Sequence, residues 1–308
     1  MFVTAIAGGT GAAKLLRGLA ACLPLRDLTI VGNTGDDAEV WGLHVSPDLD
    51  TLTYALAGRL DARRGWGLRD ETFRCLQGMT EYGADTWFNL GDRDLATHLF
   101  RTAALRAGQP LSAVTRALGR RLGVEARILP MSDDGVRTRL RTPDGWLGFQ
   151  EYFVREKTQV EVLEVRYDGA ERARPAPGVV AGILDADLVV VCPSNPVTSV
   201  GPVLAVPGIV EALSACRAPV VAVSPIVGDA AVSGPAGVLM RVRGLPVSPA
   251  GVARAYAPWL DILLIDASDA PRAGGVEAEG VRPVLADVVM ADGAAEVALA
   301  RRVLDLAP

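Results

Sequence analysis

A chain of 308 residues with half of its positions apolar can bury a sizeable core, as one large domain or two modest ones. Acidic residues outnumber basic ones, 36 to 31. The basic surplus of a nucleic-acid binder is therefore missing, and no nucleic-acid partner is expected. The cysteines Cys22, Cys75, Cys192 and Cys216 are scattered without a C-x-x-C pair, which points to reduced thiols in a cytoplasmic protein rather than a disulfide framework.

The first element is an apolar strand over 2–7 that runs into Gly8-Gly9-Thr10-Gly11-Ala12-Ala13-Lys14 and a helical stretch. This beginning is unlike a basic stretch with an apolar signal core. No uninterrupted apolar run reaches the ~18 residues of a membrane helix, so no membrane partner is expected. A second strand over 28–31 ends in Gly32-Asn33-Thr34-Gly35-Asp36-Asp37, and Pro47-Asp48-Leu49-Asp50-Thr51 follows soon after. Residues 1–60 thus read as strand, helix, strand, loop and helix. From 61 to 127 strand character is low, and leucine, alanine and arginine recur at helical spacing. Residues 128–167 turn strand-like, with runs at 137–142 and 160–165 and a Pro143-Asp144-Gly145 turn that predicts a hairpin.

After a proline-bearing return linker at 168–177, the alternation resumes. Residues 188–192, 220–223 and 262–265 are continuous apolar runs of strand length, as expected for parallel strands covered on both faces. A strand and a helix over 285–306 close the chain. The expected fold is α/β: a Rossmann-like, doubly wound, mainly parallel sheet. Its core comprises 1–60 and 171–308. Residues 61–170 form a mainly helical inserted cap that carries a small β-hairpin.

The turn Gly9, Thr10, Gly11 to Lys14 resembles G-x-G-x-x-G with lysine in the last place. It is either an ordinary strand-to-helix connection or a phosphate cradle. In the second case the glycines let a phosphate approach the backbone amides, the helix N-terminus adds partial positive charge, and Lys14 adds a point charge. The spacing is not that of a Walker loop. Asp36 and Asp37 follow a strand end, where α/β folds place ligands. Asp48 and Asp50, two apart, would share a side in an extended loop. These carboxylates are either solvated loop and cap residues or hard oxygen ligands for Mg²⁺. The polar loop 193–202, with Ser194 and Asn195, leaves the strand 188–192, and Asn195 can both donate and accept towards a ligand. Trp66, Trp87 and Phe88 either stack on a flat ring system or form the cap's own core. His44 and His98 lack a neighbouring thiol or histidine, so zinc is not expected. Both are expected to be surface or packing residues. No serine nucleophile elbow is present.

Taken together and in order, five segments resemble the CofD/FbiA family. They are 7–11, 33–37, 47–51, Gly91-Asp92-Arg93-Asp94-Leu95-Ala96-Thr97-His98 and Pro193-Ser194-Asn195-Pro196. These are the 2-phospho-L-lactate or phosphoenolpyruvate transferases of deazaflavin coenzyme F-420 synthesis. The resemblance runs the whole length of the chain. It implies a guanosine-diphospho donor linked to a three-carbon acid (lactate, enolpyruvate or glycerate type). The implied acceptor is Fo, a 7,8-didemethyl-8-hydroxy-5-deazariboflavin. The ribityl hydroxyl of Fo would attack the distal phosphorus, and GMP would leave. Mg²⁺ and a homodimer are implied as well.

On that footing Gly9, Thr10, Gly11 and Lys14 hold the diphosphate, with Asn33, and Ser194 and Asn195 hold the nucleotide. Asp36, Asp37 and Asp50 are the metal candidates. Asp50 and Asp48 are the catalytic candidates, Asp50 foremost as proton acceptor. Asp48 or Asp50, with Asp92 and Arg93, are the candidate contacts to Fo. YvcK-type regulators share the glycine turn and bind a sugar nucleotide, but Ser194-Asn195-Pro196 and 91–94 favour the transferase. A nicotinamide dehydrogenase would need a third glycine where Lys14 stands.

Overall fold

The computed structural model describes residues 1–307. Seven strands form one parallel sheet. In chain order they are β1 (Val3–Ala7), β2 (Leu28–Gly32), β3 (Arg127–Pro130), β4 (Leu188–Val191), β5 (Val220–Val223), β6 (Ile262–Asp266) and β7 (Arg282–Ala286). Across the sheet the order is β7-β6-β5-β4-β1-β2-β3, and every neighbouring pair is parallel. Strands β1 to β6 take the doubly wound 3-2-1-4-5-6 order, with β7 added at one edge. The chain reverses direction across the sheet between β1 and β4, and ligands of such folds bind at the strand ends beside that switch point.

The continuous apolar runs are explained by burial on both faces. Along β4 and β5 successive residues belong to opposite cores. Val189, Val191, Val220 and Ala222 pack on one face, and Leu188, Val190, Val221 and Val223 on the other. Helix α1 (Gly9–Cys22) covers the second face beside α2 (Pro47–Leu56) and the C-terminal helix Gly293–Leu304. Gly18 lets α1 and that helix touch: a Cβ there would lie 2.1 Å from the carbonyl oxygen of Glu296. No single helix among the described residues is long and apolar enough to cross a membrane.

The segment 61–170 supplies α3 (Arg74–Glu81), α4 (Asp92–Arg106) and α5 (Leu111–Arg121). It also supplies the expected hairpin, Arg137–Thr142 paired with Gly145–Gly148, which Glu164–Asp168 extends to three strands. The same segment contributes β3 to the main sheet, paired with β2 from Thr29–Arg127 to Gly32–Pro130. This segment is therefore joined to the rest of the chain through the sheet as well as through loops.

The stretch 47–51 is the first turn of α2, not an extended loop. Pro47 takes the first helical position, where its missing N–H is no loss. On a helix, positions two apart point to different sides. Asp48 and Asp50 accordingly have different partners, contrary to the shared side expected of a loop.

Candidate functional site

The C-terminal ends of β1, β2, β4 and β5 open into one cavity of ≈ 550 Å³. Gly9, Thr10, Gly11 and Lys14 line it from the start of α1, and Ser194 and Asn195 from the loop after β4. Asp36, Asp48 and Asp50 line it from the loop after β2 and from α2. The structure thus brings together residues far apart in sequence.

The two loops at the switch point are in direct contact. Ser194 Oγ donates to the carbonyl of Gly8 at 2.8 Å. A Cβ on Gly11 would stand 2.3 Å from the carbonyl oxygen of Pro193, so only glycine permits this approach. Gly9 has φ +73° with open space on its side-chain face. The first turn of α1 leaves backbone amides without intrahelical acceptors, as any helix start does; that of Gly9 donates to Asp48 Oδ1 at 2.8 Å. Lys14 Nζ donates to the Met290 carbonyl at 2.9 Å and keeps further donors for the cavity. Asn195 Oδ1 accepts from the amides of Val197 and Thr198 and caps the helical turn that follows. Asn195 lines the cavity as it does so.

Asn33 is fully buried and does not line the cavity. Its Nδ2 donates to Asp48 Oδ2 at 2.9 Å and to the Thr198 carbonyl at 3.2 Å, while its Oδ1 accepts from the amide of Gly35 at 2.8 Å. The residue expected to touch a ligand instead fastens three loops around Asp48. Burial pushes the Asp48 carboxyl up to about 6, against its bonds to Asn33 and Gly9. Asp36 lies well above the usual carboxylate range, by burial first and then by the charge of Asp48. Its Oδ1 is buried without a hydrogen-bond partner. Asp37 lines a separate cavity of ≈ 250 Å³ on the far side of Asp36. Its Oδ2 meets His44 Nε2 at 2.9 Å and accepts from Ser46 Oγ at 3.0 Å.

Among the described residues no three His, Cys, Asp or Glu side chains converge as a ready-made metal cage. Mg²⁺ does not need one, since it binds one or two carboxylates and fills its shell with water and phosphate oxygens. Asp36 and Asp48 fit that pattern. They are two buried carboxylates, the charge of Asp48 raises the proton affinity of Asp36, and Asp36 has an orphan oxygen. Asp50 fits poorly as a ligand, because Arg101 holds both of its oxygens.

That ion pair anchors a polar network overlooked in the sequence. Arg101 is 1% exposed, and its Nη1 donates to Asp50 Oδ2 at 3.1 Å while Nη2 donates to Oδ1. His98, also buried, stands between Asp50 and Asp94. The Tyr54 hydroxyl meets Asp94 Oδ1 at 2.6 Å and Thr97 Oγ1 at 2.8 Å. Tyr54, Asp94 and His98 all line the cavity. Asp94, His98 and Arg101 recur at i, i+4 and i+7, one face of a helix, and that spacing was the available signal. Asp92 and Arg93 point elsewhere. Asp92 accepts from Thr72 Oγ1 and from the amides of Arg74 and Cys75, capping α3. Arg93 is exposed and donates to the Arg69 carbonyl at 3.0 Å. Trp66 and Phe88 line the cavity, as do Phe149 and Phe153, whose rings stack at 5.5 Å. Trp87 faces the smaller cavity.

A Rossmann-type sheet with a glycine turn, buried carboxylates and aromatic rings around one switch-point cavity defines an α/β protein with a site suited to phosphate chemistry. The sequence profile of the family described as 2-phospho-L-lactate transferase CofD matches residues 3–302. The chain belongs to that family of transferases. It is 47% identical to a phosphoenolpyruvate transferase of Streptomyces griseus, over all of this chain and 98% of the relative. It is 43% identical to a 2-phospho-L-lactate transferase of Methanosarcina acetivorans, over 92% of each. A solved UPF0052-family protein of Bacillus halodurans has the same fold, with TM-score 0.66 over 98% of both chains at 18% identity.

Proposed function

We propose that this transferase moves a phospho-three-carbon-acid group from a guanosine-diphospho donor to the ribityl hydroxyl of Fo, releasing GMP, in F-420 synthesis. The observation that carries the proposal is the single cavity, which joins a glycine turn and two buried carboxylates to an aromatic wall in a chain of this family. The Streptomyces griseus relative that matches over the full chain carries the phosphoenolpyruvate name, and that likeness favours enolpyruvate as the acid. The core 1–60 and 171–308 holds the donor, and the cap 61–170 contributes the deazaflavin side. A cytoplasmic homodimer completes the reading.

The amides of Thr10 and Gly11, with Lys14, hold the diphosphate. The Asn195 amide group and Ser194 border the nucleotide. Asp36 and Asp48 hold Mg²⁺, which when bound neutralises charge on the diphosphate oxygens. Trp66, Phe88, Phe149 and Phe153 offer faces to the flat deazaflavin. The hydroxyl oxygen attacks the phosphorus distal to guanosine, and its bond to the bridging oxygen breaks so that GMP departs with that oxygen. Asp50, held in place by Arg101 and open to the cavity, accepts the hydroxyl proton. Positioning and charge neutralisation supply most of the rate in such transfers.

Incubation with Fo, MgCl₂ and each guanosine-diphospho donor, followed by mass spectrometry, tests the reading. Release of GMP and a phospho-acid adduct on Fo that depends on Mg²⁺ is expected. Near-normal turnover in Asp36→Asn or Asp50→Asn would remove that residue from its role. No adduct with any donor, together with tight binding of a sugar nucleotide, would replace the transferase by a regulator.

A further inference from the structure

His98 has a defined hydrogen-bond polarity that the transfer itself does not use. Arg101 can only donate. Its Nη1 lies 3.3 Å from His98 Nδ1, which makes Nδ1 the acceptor and, by the logic of the network, leaves the ring proton on Nε2. Nε2 is buried and has no partner of hydrogen-bond geometry. Asp94 Oδ2 stands 3.4 Å from it. Asp94 Oδ1 is already engaged with the Tyr54 hydroxyl, so Oδ2 keeps its accepting capacity. His98 and Asp94 both line the cavity, with the buried Nε2 beside the accepting Oδ2. A buried donor left unpaired is unfavourable until something accepts from it.

A flat heterocycle with a carbonyl next to a ring N–H complements this pair. The carbonyl would accept from His98 Nε2 and the N–H would donate to Asp94 Oδ2. The pyrimidinedione ring of a deazaflavin has such an imide edge. We infer that His98 and Asp94 read the imide edge of the acceptor, with Arg101 as the positioning residue that sets the His98 tautomer. The inference rests on the Fo reading above and gives the acceptor contact to Asp94 and His98 instead of Asp92 and Arg93. Trp66 and Phe88, on the same cavity, supply ring faces for stacking.

The test uses the intact protein, the intrinsic fluorescence of Fo, and an Fo analogue methylated at the imide nitrogen. Wild-type protein should bind the methylated analogue at least about tenfold more weakly than Fo, because the acceptor Oδ2 then faces a methyl group. His98→Leu should weaken Fo binding by about tenfold, and His98→Gln, which keeps an N–H donor, should recover most of the loss. GDP affinity by calorimetry should stay unchanged in both variants, which separates a recognition role from a folding defect. Equal binding of Fo and its methylated analogue by wild-type protein would overturn the inference without any variant. So would unchanged Fo affinity in His98→Leu. Wild-type protein that binds GDP but no Fo would overturn the acceptor reading, and this inference with it.

Discussion

Removal of Arg101 should expose how Asp50 is held. Asp50 is 6% exposed. Burial pushes its carboxyl up, and the Arg101 charge is the largest influence pulling it back down. Arg101→Met keeps much of the stem but deletes both guanidinium bonds, leaving a buried carboxylate uncompensated. Breaking one side of a buried pair costs about 3–5 kcal/mol. By the per-residue entropy of unfolding, that lowers Tm by about 5–8 °C in a chain of this length. Asp50→Asn alone leaves the arginine unpaired and should also destabilise. The double variant removes both charges, so its loss should fall below the sum of the single losses by at least about 2 kcal/mol. Urea unfolding of the four proteins, monitored by tryptophan fluorescence, measures this coupling. Additivity within about 0.5 kcal/mol would refute the argument, because it would mean that Arg101 and Asp50 do not depend on one another.

The glycine turn offers a contrast. Gly9→Val meets open space in the free protein, so its stability loss should be limited to the left-handed backbone, about 1–2 kcal/mol, while GDP affinity collapses because the side chain occupies the cavity. Gly11→Ala drives a Cβ against the Pro193 carbonyl and should lower both stability, by about 1–3 kcal/mol, and GDP affinity; calorimetry and thermal melts separate the two cases. Asn33→Ala deletes three buried hydrogen bonds and should lose about 2–3 kcal/mol, with a lower kcat because Asp48 is no longer held, as steady-state assays would reveal. Asp48 titrates at about 6 when folded, against an ordinary 3.8. The raised value favours the folded state below the ordinary value, so this contribution to metal-free stability should be lost as pH rises from about 4 through about 6. Asp48→Asn should flatten that part of the profile, and added MgCl₂ should restore stability above it; melts over this range with and without the metal check both.

The amino-acid sequence by itself determined the architecture and the family. The runs 188–192, 220–223 and 262–265 are apolar without alternation, and only a sheet covered on both faces buries such runs, as the two cores confirm. The hairpin at Pro143-Asp144-Gly145 was legible because turn chemistry is local. The motif order from Gly8 to Pro196 was also legible, because it needs no geometry. Tertiary structure decided the rest. Strand β3 is four residues long at a sheet edge, and its pairing with β2 is a long-range contact. Asp48 and Asp50 looked equivalent until the helix turned them apart, one towards Asn33 and Gly9, the other towards Arg101. Asn33 has the chemistry of a ligand contact, and only burial shows that its bonding capacity is spent inside the protein. His98 shares a helix face with Asp94 and Arg101 in the sequence, but its contact with Asp50 is set only by α4 packing beside α2. Local patterns specify which elements form, whereas the partner of a polar side chain is set by which elements meet in space.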